Sequence, residues 1–281
     1  SKFKEALDLY KNEQLNKSKE ICLEILKNYP KHFDSFRLLS IISYLNKDYL
    51  EASKLINKAI KINPNHALAY YDQGTIFHQL EKFEFALKSF NKSIQINPNY
   101  SRAFYNRGNT LKELKKYNES IESFKEAIKI DPNDFEAHNN CGNLFFELGK
   151  YDLALQNFDK AIKIKPGYAD GYYNFANTLY ELGQLENSID NYKKAIKINP
   201  SLDFLLGKIL YIKSRICDWQ FINHDKNILK KKILEKGIGT QPMTILSLYD
   251  SPSLQKINAK NFVHEKFPLS SSLGPIKRRK I

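Results

Sequence analysis

The sequence predicts an all-α fold built from stacked helix pairs, and three observations carry that prediction. First, the stretch Ser101–Asp134, SRAFYNRGNTLKELKKYNESIESFKEAIKIDPND, returns 34 residues later as FEAHNNCGNLFFELGKYDLALQNFDKAIKIKPGY and again as ADGYYNFANTLYELGQLENSIDNYKKAIKINPSL. Second, Pro30, Pro64, Pro98, Pro132, Pro166 and Pro200 follow one another at the same interval, and the other four prolines all come later. Third, residue types recur together: small residues at Gly108, Gly142 and Ala176, aromatics at Phe124, Phe158 and Tyr192, and alanine at Ala127, Ala161 and Ala195. A fixed period of this size marks a repeat array in which each unit buries its apolar face against its neighbours.

Within a unit the first helix is expected over about positions 1–14 and the second over about 17–30, counting Ser101 as position one. Gly149 and Gly183 fall in the intervening turn, where a helix C-terminus favours a left-handed residue. Asn63-Pro64, Asn97-Pro98, Asp131-Pro132 and Asn199-Pro200 end the second helices, because the residue before proline is disfavoured in helical conformation and proline donates no backbone bond. The small positions are read as facing Ala127-like positions of the partner helix, with the aromatics filling the space between layers. Period and pattern together resemble the tetratricopeptide repeat. The resemblance implies a right-handed superhelix of about six helix–turn–helix repeats over 1–200 (1–32 partial, then 33–66, 67–100, 101–134, 135–168 and 169–202). A helical cap or linker is expected over 201–268 and a basic linker over 269–281.

Composition narrows the function class. The chain has 281 residues, 42% hydrophobic and 27% charged, which is globular composition. No apolar run approaches the ~20 residues of a membrane span. The start, SKFKEALDLYKNEQ, lacks the apolar stretch of a signal peptide and lies inside a repeat, as in a fragment or a processed start. Cys22, Cys141 and Cys217 are widely separated, which argues against a disulfide framework or a Cys-x-x-Cys site, and a cytoplasmic location is expected. The net charge of +13 raises nucleic acid as a partner. The excess is nearly all lysine late in the second helices, as at Lys125/Lys129 and Lys194/Lys197, where the helix dipole favours cations on a solvated face. Proteins or extended peptides, with neither nucleic acid nor membrane, are therefore the expected partners; the oligomeric state is left open.

The candidate site lies on the first helices. Position six carries Asn106, Asn140 and Asn174, and position nine Asn109, Asn143 and Asn177; the third repeat has Asp72 and Thr75 there. Asparagine is a modest helix former, so matched mid-helix asparagines need a reason. One reading is packing between helices, or codon bias. The other places the rows along a concave groove, with packed helices ~8–10 Å apart and an extended peptide rising ~3.3 Å per residue, so that one amide meets the peptide about every third residue. An amide can donate and accept, which suits backbone reading of many sequences. Position two adds acids, among them Asp170, and position four is mostly aromatic and read as core.

The tail carries a second resemblance. Cys217-Asp218-Trp219 follows the array, then Pro242, Leu246, Leu248, Asp250, Pro252, Leu254 and Gln255 in the pattern Pro-x-x-x-Leu-x-Leu-x-Asp-x-Pro-x-Leu-Gln. This looks like the junction between repeats and catalytic half in bacterial O-linked N-acetylglucosamine (O-GlcNAc) transferase-like proteins, whose substrate groove has an asparagine ladder that Asn106, Asn140 and Asn174 match. The resemblance implies the protein-binding arm of a glycosyltransferase, with a UDP-GlcNAc donor used only by a full-length member. The chain ends at Ile281, where the catalytic strands would begin, so no cofactor and no catalytic residue is assigned to it. No His-Glu-x-x-His zinc spacing and no glycine-rich phosphate loop occurs. Asp218 and Trp219 are read as helix-end packing. Lys277–Lys280 is read as a solvated linker or as a phosphate or membrane contact. Two other functions are carried: a free-standing scaffold for protein assembly, and a carboxylate clamp, which needs matched groove cations where Arg102 and Arg107 supply one unit only.

Overall fold

Each helix pair turns on one residue in left-handed conformation, fifteen positions into the repeat. Glu13, Lys47, Glu81, Lys115, Gly149 and Gly183 have φ of 59°, 62°, 57°, 58°, 69° and 73°. Around it the turn closes as a Schellman motif: the Lys115 amide donates to the Lys112 carbonyl at 2.8 Å and the Lys116 amide to the Leu111 carbonyl at 2.9 Å. Only two of these six positions are glycine, so most copies carry a side chain at a backbone conformation that disfavours it.

A computed structural model describes residues 2–202, 204–219, 222–235, 237 and 240–266. All elements among the described residues are helical. The chain divides into two compact units, 1–144 and 145–281. The first holds α1 (Lys2–Lys11), α2 (Leu15–Asn28), α3 (Phe33–Leu45), α4 (Tyr49–Ile62), α5 (Ala67–Gln79), α6 (Phe83–Ile96), α7 (Ser101–Glu113) and α8 (Tyr117–Ile130). The division falls inside α9 (Phe135–Glu147). The second holds α10 (Tyr151–Ile164), α11 (Ala169–Glu181), α12 (Leu185–Ile198), a 3-10 turn at Pro200–Leu202, α13 (Leu205–Arg215), α14 (Ile222–Glu235), α15 (Pro242–Leu248) and α16 (Pro252–Lys266). First helices end one position earlier than the sequence suggests, since the fourteenth residue is already the C-cap of the turn. The basic stretch Lys277–Lys280 and Ile281 lie outside the described residues.

Second helices stop for a reason beyond proline. The residue before it is extended (Asn97 at φ −128°, ψ 92°), and its side chain accepts from the backbone amide two residues on. Asn63 accepts from Asn65 at 3.2 Å, and Asn97, Asp131 and Asn199 accept from Asn99, Asn133 and Ser201, each at 3.1 Å. Asparagine or aspartate is thus selected by a local side-chain turn. At the next helix start His32, His66 and Asp134 accept from the amides of Ser35, Ala69 and Ala137. N-capping by histidine was not foreseen.

The packing of the small positions differs from expectation. A Cβ on Gly108 would stand 2.7 Å from the Phe124 ring, and one on Gly74 2.6 Å from the Phe90 ring. The glycine makes room for the aromatic of its own second helix, rather than for Ala127. The fully buried alanines (Ala52, Ala59, Ala86 and Ala127 among them) let helix backbones approach elsewhere. Serine replaces alanine at three copies of one position, and two bond to a helix carbonyl, Ser18 to Ala6 at 2.7 Å and Ser120 to Gly108 at 2.6 Å, while the buried Ser188 hydroxyl has no hydrogen-bond partner among the described residues. The lysines late in the second helices are solvated, as at Lys129 and Lys163, which pair within their own helices with Glu126 and Asp159.

In the second unit the repeat register continues past Pro200. The turn after α13 repeats the turn after α11, with the Asp218 amide donating to the Lys213 carbonyl as the Gln184 amide does to Leu179, both at 2.9 Å, and Cys217 left-handed at φ 56°. One face of α13 (Leu205, Ile209, Ile212) joins the core of Ala176, Ile189, Tyr192 and Ala195. Its other face gives Leu210 to a second core with Leu229, Ile233, Ile245, Leu248 and Leu254. Gly207 admits Thr240, whose Oγ1 would lie 2.3 Å from an added Cβ. The Asn258 amide meets both the amide and the carbonyl of Thr240 at 2.9 Å, closing the buried segment before α15. Asp218 stands 3.9 Å from the Lys213 ammonium, whereas Trp219 is 60% exposed and does not pack as the sequence suggested.

Candidate functional site

On the first-helix face of the N-terminal unit, position five of one repeat meets position six of the next. The Asn106 side chain donates to the Tyr71 hydroxyl at 3.0 Å and the Asn140 side chain to the Tyr105 hydroxyl at 3.1 Å. Arg37 and Asp72 fill the same pair of slots as an ion pair at 2.6 Å. Asn140 also donates to the Asn109 Oδ1 at 3.1 Å, linking position six to position nine. The asparagine rows are therefore bonded to each other and to tyrosines. Asn140 spends both amide hydrogens within the fold and its side-chain oxygen accepts from the Asn139 side-chain amide at 3.5 Å, which modifies the expectation of amides pairing on both sides. Asn143 shares this unit and is half-buried, like the other members of the rows.

Two adjoining cavities lie along this face. One, of about 410 Å³, is lined by Tyr10, Ser40, Ile41, Tyr44, Leu45, Tyr71, Asp72, Thr75, Ile76 and Arg102. The next, of about 320 Å³, is lined by Tyr44, Thr75, His78, Gln79, Phe90, Asn106 and Asn109. Tyr44 and Thr75 belong to both. Asp72, Asn106 and Asn109, chosen from the sequence by register alone, are thus brought together along one groove. The tyrosines at position five were missed. Their signal was present in Tyr71, Tyr105 and Tyr173, but an aromatic on a helix is more often core than groove wall.

The electrostatics follow burial. Desolvation pushes the Asp72 carboxyl above the usual carboxylate range, while the Arg37 guanidinium pulls against it. Burial lowers the His78 imidazole, with Glu113 opposing, and His78 lies 3.1 Å from the Thr110 hydroxyl. Among the described residues no group of three or more histidine, cysteine or carboxylate side chains could hold a metal ion, and no helix is long and apolar enough to cross a membrane.

Sequence families place the repeat. Residues 67–100 and 169–202, and separately 89–122, match models described as tetratricopeptide repeat; residues 108–149 and 142–183 match one described as TPR repeat. The chain carries tetratricopeptide repeats. No curated protein matches the sequence. Among solved structures, PilF of Pseudomonas aeruginosa is similar at 18% identity and TM-score 0.60, over 81% of this chain and 97% of its own. MamA of Desulfovibrio magneticus RS-1 is similar at 19% and 0.55, over 59% and 96%. YrrB, titled a TPR protein with an unusual peptide-binding site, is similar at 23% and 0.55, over 64% and 92%. At these identities the likeness is one of fold, and it is the all-α tetratricopeptide fold.

The second unit holds the remaining candidates on tetratricopeptide helix α11. Asp170 is exposed in its first turn, where an acid complements the helix N-terminus. Asn174 is half-buried, and its carbonyl accepts from the Thr178 hydroxyl at 2.8 Å. Asn177 Oδ1 accepts from the Tyr192 hydroxyl at 2.6 Å and from the Lys208 ammonium at 2.8 Å. Lys208 stands at position six of the register that α13 continues, and its bond to Asn177 copies the one between Asn140 and Asn109. Its ammonium lies 5.0 Å from the centre of the Tyr180 ring and 5.1 Å from that of Tyr192. Burial lowers it to about 8, with Glu181 opposing. The sequence reading passed over Lys208 because the small–aromatic–alanine pattern stops before it.

Proposed function

We propose that this chain is a protein-binding scaffold that holds an extended peptide segment along the first-helix face of its N-terminal unit. The observation that carries this reading is the pair of adjoining cavities that share Tyr44 and Thr75 and between them are lined by Asp72, Asn106 and Asn109. An extended strand laid there finds acceptors at Asp72 on α5 and at Asn106 and Asn109 on α7, beside the walls of Tyr44 and Tyr71. The peptide-binding site named for YrrB lends the same use to a similar fold. Nucleic acid fits less well, since Asp72 lies in the groove and the lysines stand on the outer helices. Each neutral hydrogen bond nets ~0.5–1.5 kcal/mol, so binding is weak and additive. The test is to select short peptides from a random display library on the chain and map them by photo-crosslinking. Crosslinks on α5 and α7, together with weaker binding by Asn106→Ala/Asn109→Ala/Asn140→Ala that still melts cooperatively, support the groove. Crosslinks confined to α6 and α8, or unchanged affinity in the triple variant, reject it.

A second, finer reading is favoured by the tail. Leu248 and Leu254 of its motif lie in the core beneath α13, and the Gln255 amide donates to the Tyr249 carbonyl at 2.9 Å, so these residues build a defined joint after the array. In that reading the chain is the recruiting arm of an O-GlcNAc transferase-like enzyme, and the sugar-nucleotide donor is bound by a catalytic half. The intact mass of the native protein, with peptide mapping beyond Ile281, decides it. A longer species that moves N-acetylglucosamine from UDP-GlcNAc to proteins supports the arm, and a native end near Ile281 leaves the scaffold.

A further inference from the structure

The cavity between α1, α3, α5 and the start of α7 has walls that a backbone-reading groove does not need. Tyr10, Tyr44 and Tyr71 line it with Ile41, Leu45 and Ile76. Its wall rings are fixed from outside: the Tyr71 hydroxyl is held by Asn106, and the ring packs on Tyr100 at 4.9 Å and on Phe90 at 6.0 Å between centres. At about 410 Å³ it is at the small end of ligand cavities, room for one large side chain rather than a cofactor.

Its polar groups are unequal. The Asp72 charge is met by Arg37 at 2.6 Å. Arg102, exposed beside it, has no ion pair among the described residues. Ser40 also lines the cavity, and its buried hydroxyl has no hydrogen-bond partner. A lysine or arginine side chain entering here would meet the unmatched Arg102 charge. A carboxylate would lose its hydration against aromatic and aliphatic walls, with one exposed cation in return. A flat ring gains on every count: it buries area against the tyrosines, offers its face to the Arg102 guanidinium, and can carry a hydroxyl to an orphaned partner.

We infer that this cavity is a selectivity pocket for one tyrosine side chain of the bound segment, with the ring between the tyrosine walls and Arg102 and the phenol hydrogen-bonded to Ser40. The inference rests on the groove reading and deepens it. The amide rows hold any extended backbone, and the pocket fixes the register by accepting one residue type. It also gives the Asn106–Tyr71 bond a purpose, because an amide that orients a wall tyrosine preorganises the pocket.

The experiment uses the full chain and a tyrosine-containing peptide from the display selection, with the tyrosine changed in turn to Phe, Leu, Glu, Lys and Ala and affinity read by fluorescence anisotropy. The Ala, Glu and Lys peptides are expected to bind about tenfold more weakly or worse, and Phe a few-fold more weakly than Tyr. In Ser40→Ala the Tyr and Phe peptides should become equal. In Arg102→Gln, an exposed position that leaves folding intact, the aromatic peptides should weaken while the Ala peptide does not change. Equal affinity for all peptides, or a tyrosine preference unaltered by both variants, overturns the pocket while the groove stands. Peptides that bind with no response to the asparagine triple variant overturn the groove and the pocket with it.

Discussion

At the scale of the residue, the fifteenth position shows how tolerant the repeat is of a local cost. The Schellman turn requires a left-handed residue, and glycine supplies it without a Cβ penalty at Gly149 and Gly183. Lys115 adopts φ 58° with a full side chain. A Cβ at Gly183 meets nothing within 4 Å, so the backbone angle alone decides the effect there. Lys115→Gly should therefore stabilise and Gly183→Ala destabilise, each by about 1 kcal/mol. Chemical denaturation of the two variants reads both signs, and the account of the turn is lost if both move the same way. Positions 74 and 108 are a different case, because the Phe90 and Phe124 rings fill the space a side chain would need.

At the scale of the element, α13 is the informative helix. It keeps the repeat's turn and its position-six bond, yet it places a lysine where the four repeats before it place an amide or a paired acid. Burial lowers Lys208 to about 8. The unfolded chain, with an ordinary lysine pKa near ~10.4, then binds more protons than the folded chain between about pH 8 and 10, so the ammonium costs stability below pH 8 and the cost fades as pH rises. Lys208→Met keeps the stem against Tyr180 and Tyr192 and leaves Asn177 with its bond from Tyr192. It should raise the melting temperature at pH 7 by the equivalent of about 1–3 kcal/mol, with a smaller gain near pH 10. An equal gain at both values would show that the charge is not the cause.

At the scale of the whole molecule, acid sensitivity gathers the effects of single histidines. Burial lowers His66, with Arg37 adding to it, and burial lowers His78. Depressed histidines leave stability full above the ordinary value near ~6.5 and remove it as pH falls through the folded values, since the unfolded chain takes up protons first. The melting temperature should fall between about pH 7 and pH 5. It should fall less in the double variant His66→Asn/His78→Gln, where the first substitution keeps a side-chain acceptor to cap α5 and the second keeps an amide that reaches Thr110. Parallel curves for the parent and the double variant would assign the acid loss to other groups.

The sequence by itself determined the period, the helix pairs, the stops at Asn-Pro and Asp-Pro, and the candidate rows at Asp72, Asn106, Asn109, Asn140 and Asn143. These are local or periodic properties: a turn residue, a proline or a matched slot acts within a few residues of itself, and repetition makes it visible. Only the tertiary structure decided what those slots touch. Asn106 is joined to Tyr71 across 35 positions, Gly108 to a ring rather than to Ala127, and Lys208 to Asn177 beyond the point where the pattern stops. Such partners are set by which helix faces meet, and a single unaligned sequence carries register along a helix but not the choice of neighbour across it. The groove and its tyrosine walls are products of that choice.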